Sequence, residues 1–246
     1  MHRILLLFLL TLGCASAPGP RNLIAEKSGW VLRCAPADVD KPGFVFTPNG
    51  TWKLDTQGRK DHGYLFLEHQ EEFADFEAEL SFRADGSLLG NSGLQFRSRW
   101  NPSDGESGWM NGPQIDIHPP GPWRIGFIYD ETRGTQRWIF PSRKNWVLEE
   151  QPRAAGWSFH DAAKEAETCN VLRLVCRGTK VQTWLNGVPV SDYDGKGVLD
   201  DEAHVKAGTG LRGRFALQIH AGDDVRLEFL SLSVRPLSSG RAGSRE

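Results

Sequence analysis

Alternation with a period of two residues runs through most of this chain and constrains its fold more than any other feature. Phe76, Ala78, Leu80 and Phe82 fall on one side of a run, while Asp75, Glu77, Glu79 and Ser81 fall on the other. A strand turns successive side chains to opposite faces, so this is the pattern of a sheet with one face in a core and the other wet. Strand signals occur at 51–54, 63–67, 73–82, 93–99, 114–118, 125–129, 136–140, 170–177, 181–186, 188–190, 215–220 and 225–234. Gly178-Thr179 and Asn186-Gly187 punctuate them, the second as a two-residue hairpin signal. Helical periodicity is confined to a short helix at 161–168 and one turn at 200–205. With no crossover helices, the pattern predicts an all-β antiparallel sandwich or jelly roll. It forms one domain over 22–237, followed by a disordered polar tail at 238–246.

The first residues lie outside that pattern. One cationic residue, Arg3, precedes the apolar run Ile4–Leu12, and Ala15-Ser16-Ala17 supplies an A-x-A cleavage pattern. This reads as a secretory signal peptide over 1–17, too short to span a hydrocarbon core of about 30 Å. Leu12-Gly13-Cys14 is a rival processing site, with Cys14 as a lipid anchor. Either route predicts an exported protein, periplasmic or secreted or anchored as a lipoprotein, with no transmembrane span. Cys34, Cys169 and Cys176 remain after processing. Cys169 and Cys176 share one strand and are too far apart to bridge each other. Buried free thiols are favoured over a bridge to Cys34. No C-x-x-C occurs, which disfavours thiolate zinc.

Charge excludes further partners. Twenty-nine Lys and Arg balance 31 Asp and Glu, without a basic run. Nucleic acid is therefore not the expected partner, because phosphate binding needs clustered cations. Nine tryptophans among 246 residues are an excess. Trp30, Trp52 and Trp138 sit in strand-like surroundings and are expected in the core. Trp100, Trp109, Trp123 and Trp146 lie in or beside Gly-, Pro-, Asn- and Ser-rich loops, where they could stack on a sugar.

Three strands place hydrogen-bonding groups together on one face. Leu94 and Phe96 alternate with Gln95, Arg97 and Arg99; Ile115 and Ile117 with Gln114, Asp116 and His118; Leu217 and Ile219 with Gln218 and His220. Such a set of Gln, Arg, Asp and His suits a polyol, whose hydroxyls need paired donors and acceptors. A hydrated sheet face is the plainer alternative. Gln114-Ile115-Asp116-Ile117-His118 also stands where a sandwich glycosidase would carry two Glu flanking an Asp. Both Glu are missing, so two-carboxylate retaining hydrolysis is disfavoured.

Six segments carry a resemblance: Asn91–Arg97, Gly112–Ile117, Gly126–Glu131, Cys169–Leu174, Gln182–Gly187 and Ala216–Gly222. In order and spacing the chain resembles the 3-keto-disaccharide hydrolase family over roughly residues 40–237. It departs at Cys169, where the family usually has Trp, and at Pro113, where it usually has an aromatic. The resemblance implies a concanavalin A-like jelly roll with one concave polar face, acting on an oligosaccharide or glycoside already oxidised at carbon 3. A ketone there acidifies the carbon-2 proton; its removal lets the aglycone leave from carbon 1, and water can then add. In this reading Asp116 or His118 is the base, Arg97 and Gln114 bind the keto oxygen, and His220 is the acid. Tyr129, Glu131 and Gln218 hold hydroxyls, with Trp109 and Trp123 along the cleft. No cofactor is firmly implied; a divalent metal held by Asp116, His118, Glu131 and His220 is possible as a minority reading. The alternative function is a non-catalytic, lectin-like sugar-binding module using the same face, and a third is a structural adhesion domain on the cell surface, which would bind no small sugar.

Overall fold

The alternating runs pair into two stacked antiparallel sheets. The computed structural model describes residues 19–41, 43–85, 90–105, 107–120, 123–141, 148, 155–164 and 168–238. Strands β1 (Arg21–Asn22), β2 (Trp30–Arg33), β3 (Phe44–Phe46) and β4 (Trp52–Asp55) open the chain. The long strands β5 (Leu65–Phe73), β6 (Phe76–Ala84) and β7 (Ser92–Asn101) follow, then β8 (Trp109–Asn111), β9 (Pro113–Ile117), β10 (Ile128–Asp130) and β11 (Arg137–Phe140). The second half holds β12 (Asn170–Arg177), β13 (Lys180–Leu185), β14 (Val188–Asp194), helix α1 (Glu202–Ala207), β15 (Gly213–Ile219) and β16 (Arg226–Pro236).

One sheet, here the backing sheet, runs β14-β13-β12-β6-β16-β4-β3, with β1 on β16. The other, the site sheet, runs β11-β10-β9-β7-β15-β5-β2, with β8 paired to the end of β7. Consecutive strands often cross between sheets: β5 and β6, adjacent in sequence, lie in different layers. This is the jelly-roll arrangement that the alternation implies.

The apolar halves of the strands meet between the layers. Phe76, Ala78, Leu80 and Phe82 of β6 pack into one buried cluster with Leu94, Phe96, Ile115, Ile117, Leu217 and Ile219 of the site sheet. Truncating such a side chain costs about 2–5 kcal/mol, because the cavity left behind adds to the lost transfer energy. The outward residues of β6 make ion pairs instead, as Glu77 does with Arg173 and Arg235.

Several expectations are corrected. The run 73–82 is not one strand: Ala74 and Asp75 turn the chain, β5 ends at Phe73, and β6 begins at Phe76. Alternation continues across such a turn, so the pattern alone hides it. Residues 125–129 yield a strand only from Ile128, after a turn at 125–126. Residues 161–164 form a turn and 165–167 lie outside the described residues. Helix α1 starts two residues after the expected turn at 200 and is N-capped by Asp201, whose side chain accepts from the His204 backbone N–H. Strands β1, β2, β3 and β8 lie outside the alternating runs.

Cys34, Cys169 and Cys176 are free thiols, and burial pushes Cys176 up to about 12. The leader over 1–17, the anchor at Cys14 and nearly all of the tail lie outside the described residues. Among the described residues no helix is long and apolar enough to cross a membrane.

Candidate functional site

The polar halves of β7, β9, β10 and β15 meet on the outer face of the site sheet. Asp116 lies opposite Gly93, which lies opposite Gln218 on its other side. One step along, Gln114 lies between Gln95 and Tyr129, and Tyr129 lies opposite Trp138. Directly opposed residues in antiparallel strands share a face, so these side chains stand together. Gly93 is the floor: a Cβ there would come within 2.2 Å of Gln114 Cδ. Its hydrogen leaves the space in which the Gln114 amide lies across the strand.

Glu131 enters from the loop directly after β10. Gln218 Nε2 donates to its Oε1 at 3.0 Å, and the Trp109 indole N–H donates to its backbone carbonyl at 2.6 Å. At the edge, Tyr64 just before β5 places its hydroxyl 2.8 Å from His220 Nε2. His220 Nδ1 lies 3.1 Å from the Ala221 carbonyl and 3.4 Å from Asp223.

Much of the hydrogen-bonding capacity here is unspent. Both amide atoms of Gln95, Oε1 of Gln114 and Gln218, Oδ1 of Asn91 and Oδ2 of Asp116 are buried without a protein partner. Buried polar atoms are normally paired, and leaving one unpaired costs about 1–3 kcal/mol. A cluster of them on one face is the signature of a surface built to bind something polar.

The electrostatics point the same way. Burial pushes the Asp116 carboxyl up to about 8; Glu131 raises it further, against the pull of Arg124, Gln114 and Asn91. Burial likewise pushes Glu131 up to about 7, with Asp130 adding to it and Gln218, Arg133 and Gln136 opposing. Burial holds Tyr64 and Tyr129 up at about 12, each raised further by Glu131. His118 is lowered, chiefly by burial, and its Nδ1 lies 2.8 Å from the Pro119 carbonyl. Two carboxyls that titrate near neutral pH, one raising the other, can divide the roles of acid and base.

Two residues expected in the site are elsewhere. Arg97 was expected to continue the polar face after Gln95, but its φ of 49° and a register shift between β7 and β15 break the alternation. Its side chain crosses instead to the backing sheet. Nε donates to the Ala74 carbonyl at 2.7 Å, Nη1 to those of Gly178 and Gly210, and Nη2 pairs with Asp75 at 3.1 Å. Arg97 is a buried clamp between turns, out of reach of a keto oxygen on the outer face. Trp123 packs on Phe127 and Trp157, at 5.7 and 5.0 Å between ring centres, and braces the edge of the core rather than a cleft. Trp138 moves the other way. Expected in the core, it stands on the site face beside Tyr129, 5.2 Å between centres. Trp146 lies outside the described residues.

Asp116, Gln114, Glu131, Gln218 and Tyr129 are brought together as expected; His118 and His220 stand at the edge, and Trp109 lies behind Glu131. Gln95, read on the polar face without a role of its own, joins the set. Tyr64, Asn91, Arg124 and Asp223 were missed. Tyr64 falls within the expected strand at 63–67 but just before β5 as it forms, where nothing marked it for the site, and Asp223 lies in a loop without periodic signal. Asp116, His118, Glu131 and His220 do not gather as a metal-ligand set: among the described residues no group of three or more His, Cys, Asp and Glu side chains could hold an ion.

A sequence profile of the 3-keto-alpha-glucoside-1,2-lyase-like domain matches residues 24–234. The chain belongs to that family. Membership assigns it a carbohydrate-related function, consistent with the polyol chemistry of the outer face. No curated protein sequence matches it. Among solved structures it resembles the exoplasmic/lumenal domain of VIP36 in a Ca2+/mannose-bound form, at TM-score 0.51 and 11% identity, over 85% of this chain and 84% of that one. It also resembles the potassium-bound carbohydrate recognition domain of Emp46p, at TM-score 0.50 and 15% identity, over 85% and 89%. A carbohydrate binding module, CBM66 from Bacillus subtilis, aligns at TM-score 0.48 and 16% identity, over 84% and 95%. At 11% and 15% identity the VIP36 and Emp46p likenesses are ones of fold alone.

Proposed function

We propose that this protein is a carbohydrate-active enzyme that cleaves 3-keto-glycosides by eliminating the aglycone across carbons 1 and 2. The observation that carries the reading is the pair Asp116 and Glu131, held at about 8 and about 7 on a face of unpartnered amides. A sugar-binding module needs the amides but has no use for two carboxyls tuned to neutral pH.

In the reaction, the ionised member of the pair takes the proton from carbon 2. A carboxylate with a raised pKa is a stronger base than an ordinary one, and catalysis is best when that pKa lies near the working pH. The electron pair of the broken C–H bond moves to the keto oxygen as an enolate. The Gln95 amide, whose Nε2 is buried without a protein partner, is the donor that would stabilise that charge, in place of Arg97. Collapse of the enolate restores the ketone, forms the carbon 1–carbon 2 double bond and breaks the bond to the aglycone oxygen. The Tyr64–His220 pair supplies the proton to that oxygen. If water then adds, its hydroxyl goes to carbon 1 and its proton to carbon 2, giving net hydrolysis.

The deciding experiment incubates purified protein with 3-keto-glucosides and with their unoxidised parents, and follows aglycone release and the unsaturated ketose by mass spectrometry. Release from the keto sugars alone supports the reading. Binding of either sugar with no release, unchanged in Asp116→Asn, would instead make the protein a binding module.

A further inference from the structure

Beside the sugar face lies a cleft of about 360 Å³, lined by Tyr64, Phe66, Trp100, Trp109, Arg133 and Gln136 among others. It exists because the β7–β8 hairpin folds over the outer face of the site sheet. Under this roof Phe66, Met110 and Ala216 form a small apolar cluster of their own, against which Tyr64 and Trp100 pack. The hairpin that makes the roof is itself tightly closed: a Cβ on Gly108 would come within 2.3 Å of the Trp100 ring.

We propose that this cleft receives the leaving group of the substrate and is shaped for an aromatic aglycone. The proposal deepens the elimination reading above and rests on it. Position is the first argument. Tyr64 is shared by both sites, with its hydroxyl on His220 at 2.8 Å and its ring on the cleft wall. Trp109 holds the Glu131 carbonyl from behind, while Gln136 and Arg133 both act on the Glu131 carboxyl. A sugar ring seated over Asp116 and Glu131, with its aglycone oxygen at the Tyr64–His220 pair, therefore projects its aglycone into the cleft.

The lining chemistry is the second argument. Tyr64 and Phe66 lie nearly parallel, 8° apart at 6.1 Å, and Phe66 meets Trp100 at 6.2 Å and Trp109 at 5.9 Å. These rings offer faces and edges to another ring in the geometries that aromatic pairs prefer. A second pyranose would bring hydroxyls that each need a donor and an acceptor. Few polar side chains line the cleft: Arg133 lies over Trp109 at 4.1 Å, Gln136 hydrogen-bonds the Glu131 carboxyl, and Ser107 sits at the exposed mouth. The volume is enough for a single ring, at the small end of ligand pockets.

The test compares benzyl with methyl 3-keto-glucoside, each as both anomers. Benzyl alcohol and methanol depart with similar ease, unlike a phenol, so the comparison reads ring binding rather than leaving-group strength. Burial of a phenyl ring is worth on the order of ten- to a hundredfold in affinity. We expect kcat/KM to be at least about tenfold higher for the benzyl substrate, mainly through KM. Ala35→Trp, which fills the cleft from a wall away from Asp116 and Glu131, should erase that preference and leave the methyl substrate unaffected. Trp100→Leu reads the same loss should the Ala35 variant not fold. Equal kcat/KM for the two substrates, or a preference that survives both variants, would overturn the proposal. Turnover of neither substrate would sink the elimination reading, and calorimetry with benzyl and methyl glucoside then decides the cleft separately. A benzyl preference of about tenfold, lost in Ala35→Trp, sustains it; equal binding overturns it.

Discussion

Gly93 and Gln114 occupy one space: a side-chain carbon on the glycine would sit 2.2 Å from Gln114 Cδ and 2.5 Å from its Nε2. That close approach lays the Gln114 amide over the strand that separates Asp116 from Gln218. Gly93→Ala should displace a flexible side chain rather than backbone. We expect little change in Tm but a loss of about tenfold or more in kcat/KM, equivalent to ~1.4 kcal/mol. Steady-state kinetics beside a thermal melt would check both halves, and an unchanged kcat/KM would count against a role for Gln114.

The raised carboxyls make a pH prediction whose sign follows from linkage. Asp116 titrates at about 8 in the fold and near 3.8 when unfolded, so the folded state holds the extra proton between those values. Its contribution to stability therefore declines as pH rises through that window and levels off above the folded value. Asp116→Asn removes a group that must ionise while buried. The variant should melt higher than wild type at pH 8.5, with the gap shrinking towards pH 4. Its turnover should drop by about 10²–10⁴-fold at every pH. Melting curves against pH test the first statement and single-turnover assays the second.

Arg97 should behave as a structural residue. Arg97→Leu leaves the carbonyls of Ala74, Gly178 and Gly210 without their donor, and each such loss costs about 1–3 kcal/mol. The Tm should fall by several degrees or more, while kcat and KM of the protein that remains folded stay within about twofold. A large fall in kcat at unchanged stability would return Arg97 to the reaction.

Behind Glu131, His204 lies between Asp130, 3.3 Å from its Nε2, and Asp201, 2.8 Å from its Nδ1. Burial opposes the imidazolium, but the hydrogen bonds and charges of both carboxylates outweigh it and raise the His204 pKa. The stabilisation is complete below the unfolded histidine pKa and is lost as pH rises through the folded one. Asp130→Asn should lower the His204 titration midpoint, as read by NMR of the imidazole. A midpoint unmoved by the substitution would rule out the pairing.

The sequence by itself determined the all-β sandwich and the polar strand faces, because alternation is a local property of the extended backbone. Phe76, Ala78, Leu80 and Phe82 face inward and Gln114 and Asp116 outward whatever strands lie beside them. The same locality explains Arg97 and the turn at Ala74-Asp75: a positive φ or a tight turn changes direction without changing the pattern, so alternation overran both. Only the tertiary structure decided which polar residues meet. Tyr64 and His220 are 156 positions apart, and Gln218 and Glu131 are 87 apart. Their proximity follows from strand order, and the titration of Asp116 and Glu131 follows from burial that a single strand cannot supply. The aromatic cleft belongs wholly to that level, since it arises where one hairpin folds over the face of the sheet.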